Sequence, residues 1–186
     1  FFYGFRPYPM EQISKARRLA AQAGLHAELI TIPLGHPGDS LGSRDGDFPL
    51  TPPEHWRLGE RPDGQRFAGT SLHAPATEEN AAALRELRRL GFRIAFVDDD
   101  FRLARSPGEI GGCFCAEHRA AFLRNHGLGE ARWSELLADV RERRFTQLLR
   151  WWVEGICNQL TASFRAQQRA FDGSFGDMIM YLGAEK

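Results

Sequence analysis

The chain lacks several features that would settle its class at once. Acidic and basic side chains balance, so the formal net charge is zero. A balanced surface gives no electrostatic argument for nucleic acid or for an anionic membrane face. No apolar run reaches the roughly 18 residues a membrane-spanning helix needs. The start, Phe1-Phe2-Tyr3-Gly4-Phe5, has neither an initiator Met nor a basic leader, and reads as a strand entered partway rather than as a signal peptide. Three cysteines in 186 residues do not make a disulfide framework, and Cys113 and Cys115 are too close in sequence for an ordinary bridge. A reducing, cytoplasmic compartment or metal binding is the simpler reading; secretion stays open because a leader would lie upstream. Internal repeats and low-complexity tracts are absent. So are a Gly-x-Gly-x-x-Gly turn after any strand and a Gly-x-Ser-x-Gly elbow, which argues against dinucleotide binding and against Ser/His/Asp hydrolysis.

What is present is an alternation of apolar runs and helical patterns, the signature of α/β folds. Phe1–Phe5 predicts a short strand. Pro9–Gly24 predicts a helix with Ile13, Ala16, Leu19, Ala20 and Ala23 on one face, stopped by Gly24. Ala27–Pro33 predicts a strand, followed by a long Gly- and Pro-rich loop over 34–65, a length usually reserved for function. Arg66–Leu72 predicts a strand or extended loop. Thr77–Gly91 predicts a helix capped by Thr77, with Ala81, Leu84, Leu87 and Leu90 as its buried stripe. Arg93–Asp98 predicts a strand apolar on both faces. Ala116–His126 predicts a helix, and 133–170 a long helical stretch broken near Arg144, with Leu148, Trp152, Ile156, Leu160 and Phe164 as its stripe and Cys157 as a core residue. Asp177–Leu182 predicts the last strand. Long loops follow the strands and short turns follow the helices, so chemistry is expected at the strand C-termini.

Two constellations fall on those loops. Asp98, Asp99 and Asp100 end the Arg93–Asp98 strand. Crowded carboxylates raise one another's pKa, which keeps one protonated as a general acid; they also suit Mg²⁺ or Mn²⁺. The second is Cys113-Phe114-Cys115-Ala116-Glu117-His118, three ligands within about one turn, suited to tetrahedral zinc with one position to fill. His73, on the preceding loop, is the candidate for it. His36 and Trp56 are candidate sugar subsites, joined by Phe101 and Arg102 directly after the Asp cluster and by Glu185 after the last strand.

Taken in order, Thr51-Pro52-Pro53-Glu54-His55-Trp56, Asp63-Gly64, Leu72-His73-Ala74-Pro75, Phe96-Val97-Asp98-Asp99-Asp100-Phe101 and Cys113-Phe114-Cys115-Ala116-Glu117-His118 resemble the β-galactosidases of glycoside hydrolase family 42 over roughly residues 28–126. The resemblance implies a partial (β/α)8 barrel of about four or five parallel strands with flanking helices, residues 1–186 forming approximately its strands 2 to 5 and cut at both ends. It implies Asp100, where the family has Glu, as the acid/base, and Asp98 and Asp99 as its neighbours, Asp99 standing for the family's Asn. It implies structural zinc on His73, Cys113, Cys115 and His118, and a second carboxylate outside this chain. The expected activity is cleavage of glycosidic bonds in a saccharide substrate, without an organic cofactor, nucleic acid or membrane, and with homo-oligomerisation allowed. The alternatives are a metal-dependent hydrolase using Asp98–Asp100, or a non-catalytic barrel that binds a saccharide or partner.

Overall fold

A computed structural model describes residues 2–3, 10–35, 52–98, 101, 103 and 110–177. The elements are β1 (Phe2–Tyr3), α1 (Met10–Gln22), β2 (Leu29–Thr31), β3 (Leu58–Glu60), β4 (Arg66–Thr70), α2 (Ala76–Arg89), β5 (Ile94–Val97), α3 (Ala116–Asn125), α4 (Ala131–Glu142), α5 (Gln147–Phe171) and β6 (Ser174–Asp177).

The barrel expectation is corrected. The described residues form an open four-stranded parallel sheet, order β1-β2-β5-β6, and a separate two-stranded antiparallel sheet of β3 and β4. Strand β3 and the turn come from within the expected loop, while β4 falls on Arg66–Leu72, expected as a strand or extended loop: Arg61 to Gln65 turn the chain, with Gly64 at φ +83° and Arg61 N–H donating to Gln65 O. Ring closure needs strands long enough to tilt and stagger against one another. Here the parallel strands are two to four residues long.

Register puts Leu29, Ala95 and Phe175 on one face of the parallel sheet and Ile30, Phe96 and Gly176 on the other. Ile13 of α1, Leu84 and Leu87 of α2, and Phe171 of α5 bury the first face, with Phe92 beneath them. On the second face Ile94 and Phe96 are 36% and 41% exposed, so β5 is half-buried and not covered on both sides as its apolar run predicts. A second core gathers Phe67, Phe114, Phe122, Trp133, Leu136 and Trp152 between the hairpin and α3, α4 and the first half of α5. Helix α5 has 25 residues and contributes to both cores.

Other expectations shift. Thr77 does not cap α2: the cap position is Pro75, and Thr77 Oγ1 donates to Ser163 Oγ on α5. Leu19 is exposed, and α1 is instead held by Arg17, whose guanidinium donates to Leu90 O and Gly91 O and lies over the Phe92 ring. Cys157 is exposed, not core. The break near Arg144 lies between α4 and α5, where Thr146 caps α5 by accepting from Leu149 N–H. The last described strand is Ser174–Asp177, earlier than expected.

Candidate metal centre

The site starts with the hairpin. Ser71 N–H donates to Arg57 O, and the chain then turns through Leu72, whose N–H donates to Thr70 Oγ1. His73 follows, its N–H directed at Ser71 Oγ and its carbonyl accepting from Ala76 N–H at the start of α2. The segment before α3 runs beside β3: Phe114 N–H donates to Glu60 O, and Glu60 N–H lies 3.4 Å from Cys113 Sγ. Cys115 is the extended residue preceding α3, and His118 is in the helix's first turn, so the Cys-x-x-His spacing sets both side chains on one face.

The three side chains converge. His73 Nε2 is 3.2 Å from Cys115 Sγ, and His118 Nδ1 is 3.3 Å from the same sulfur. The two imidazoles stack with centroids 4.3 Å apart, and one donor atom from each of the three residues lies within 4.8 Å of the others. A tetrahedral ion with Zn–N near 2.0–2.1 Å and Zn–S near 2.3 Å sets its nitrogen and sulfur about 3.5 Å apart, close to the separations found here. Cys113, the fourth expected ligand, is not in that group, although it is buried and hydrogen-bonds with Cys115.

Burial at the centre favours neutral, metal-ready imidazoles. Burial, then His73 and Arg57, push the His118 pKa down to about 4. Burial also lowers that of His73, against the opposing pull of Glu117. Glu117 Oε2 is 3.3 Å from His73 Nδ1, and its other oxygen pairs with Arg57. The carboxylate thereby favours the tautomer with hydrogen on Nδ1, leaving the Nε2 lone pair toward Cys115. Burial raises the Cys113 thiol to about 12, while N–H groups of Glu60 and Cys115 pull the other way. Either cysteine becomes a ligand only as the thiolate, releasing its proton to solvent as the ion binds.

No family model, curated protein or solved structure matches the chain. The resemblance to family 42 therefore has no support from these comparisons. A His73–Cys115–His118 cluster able to hold a metal stands on its geometry alone.

Of the remaining sequence candidates, Asp98, Phe101 and Trp56 are among the described residues. Asp98 directly follows β5, its N–H donating to Thr31 O and its carbonyl accepting from Phe101 N–H. Phe101 sets its ring edge-on to Phe164, centroids 5.9 Å apart. Trp56 is buried, its indole N–H donating to Glu79 Oε2 at 2.6 Å. Asp99, Asp100, His36, Arg102 and Glu185 lie outside the described residues. Sequence reasoning missed Glu117 and Arg57; the one available signal was that Glu117 sits inside the Cys-x-Cys-x-x-His run. No helix among the described residues is long and apolar enough to cross a membrane.

Proposed function

We propose that the chain carries a structural zinc centre on His73, Cys115 and His118, with Cys113 as the fourth ligand. The observation that carries this reading is the convergence on Cys115 Sγ of two imidazole nitrogens, one of them from 42 residues away. Burial of Cys113, Cys115 and His118 supports a closed site rather than one with an open, catalytic position. Zinc would tie the hairpin end to the start of α3. The test is metal content of protein purified without added metal, on wild type, Cys115→Ser and Cys113→Ser. One zinc per chain in wild type, lost in both variants, is expected. Loss in Cys115→Ser alone would reduce the centre to three protein ligands, and a metal-free wild type would refute it.

The Asp98–Asp100 cluster supports a second proposal, cleavage of glycosidic bonds in a saccharide with Asp100 as general acid. Asp98 follows β5, an inner strand of a parallel sheet, and α/β sheets bind ligands outside the carboxyl ends of their strands. Asp100→Asn should lower turnover by about 10²-fold or more, the usual reach of general acid–base catalysis. Divalent-metal dependence would point instead to a metal-dependent hydrolase, and saccharide binding without turnover to a non-catalytic role.

A further inference from the structure

Away from His73, Cys115 and His118, the turn of the β3–β4 hairpin and the C-terminal end of α4 border a half-open cavity of about 660 Å³. That lies within the roughly 300–1,000 Å³ of small-molecule sites, which pair an apolar lining with a few placed polar groups. Among the described residues of the lining, Phe67, Phe114 and Leu137 supply apolar wall, and Arg61, Arg141 and Arg143 bring cationic side chains against one carboxylate, Asp63. Three of those groups are already engaged, Arg61 among them. Asp63 Oδ1 accepts from Gln65 N–H within the hairpin turn, and Arg141 pairs with Glu142 at 3.6 Å.

Arg143 is different. It is the residue that ends α4, at φ +53°, ψ +40°. Glycine takes that left-handed conformation at least cost, and helices commonly end on it for that reason. An arginine there carries backbone strain, and its guanidinium makes no ion pair among the described residues. Strained positions that persist in a fold concentrate at ligand sites.

We propose that this cavity binds a small carboxylic acid with an apolar body. The carboxylate meets the Arg143 guanidinium, whose planar fork matches its two oxygens; the body lies along Phe67 and Phe114. The Arg143 cation selects against a cationic head, and a neutral head forfeits the charge-assisted hydrogen bonds.

The test is calorimetric titration of the full chain with octanoate, 1-octanol and octylammonium as probes. Octanoate is expected to bind with Kd of about 1 mM or better, at least about tenfold tighter than octanol, with octylammonium weakest. Arg143→Gly is the informative variant, because it removes the guanidinium and relieves the backbone together. It should unfold at the same or a higher temperature, keep its metal content, and lose the preference for octanoate over octanol. Leu137→Trp, which fills the cavity, should abolish binding of both. The proposal is overturned if wild type binds octanoate no better than octanol, if no octanoate binding is measured, or if Arg143→Gly keeps the preference.

Discussion

At the scale of single residues, the most exposed member of the metal centre shapes it as much as the buried ones. Glu117 joins Arg57 on one side and His73 on the other. Glu117→Gln keeps the shape of the side chain but loses the charge that holds the His73 tautomer. Metal affinity is expected to fall by about 10–100-fold, the usual cost of losing a ligand's hydrogen-bonding partner, read by competition with a chromophoric chelator. His118 makes a second prediction, for metal-free protein. Its folded pKa, about 4, lies below the ordinary histidine value of 6.5, so the unfolded chain binds the proton more tightly. Stability is therefore full above about pH 6.5 and declines as pH falls toward 4, by on the order of 3 kcal/mol in all. Urea midpoints measured across that range should drop with acidity, and His118→Asn should flatten the slope. An unchanged slope in that variant would remove His118 as its source.

At the scale of elements, the aromatic cluster under α5 is the main support of the second core. Trp152 meets Phe114, Phe122 and Trp133 with centroids 4.6, 5.6 and 5.6 Å away, and its indole N–H donates to Gly111 O. Trp152→Ala should cost about 3–5 kcal/mol by equilibrium denaturation. Gly112→Ala should also destabilise, since a Cβ there would come within 2.7 Å of the Trp152 ring and the backbone sits at φ +127°. Helices with wide apolar stripes were legible from sequence: Ala81, Leu84 and Leu87 of α2, and Leu148, Trp152 and Ile156 of α5, are buried as their spacing requires. The stripe fails further along α5. There Ser163 and Gln167 are buried through hydrogen bonds with each other and with Thr77, a role no hydropathy pattern marks. Strand β3, Leu58-Gly59-Glu60, was hidden because glycine and a charge at a hairpin look like loop. The apolar run of β5 suggested cover on both faces because composition does not say whether a second layer arrives. Three of the four side chains singled out as candidate ligands, His73, Cys115 and His118, converge, and Cys113 lies outside that group. Glu117 and Arg57 were not legible, since isolated charges are the common currency of any surface.

At the scale of the whole molecule, the His73–Cys115–His118 cluster links parts that the two cores leave to separate elements: the hairpin end, the start of α2 and the start of α3. An ion bound only by the folded state adds stability with its concentration, about 2.7 kcal/mol at 100 times Kd. For a chain of this size that is roughly 5–10 °C in Tm. Chelation should lower the melting temperature by that much, and zinc, but not magnesium, should restore it. The same arrangement has a consequence in time. Cys115 and His118 are three residues apart and need only the first turn of α3 to meet, whereas His73 must arrive from 42 residues upstream. A refolding chain can therefore seize the ion on its local pair first and complete the shell only once the hairpin has docked. Zinc capture should then be biphasic, with a fast phase that survives His73→Ala and a slow one that does not.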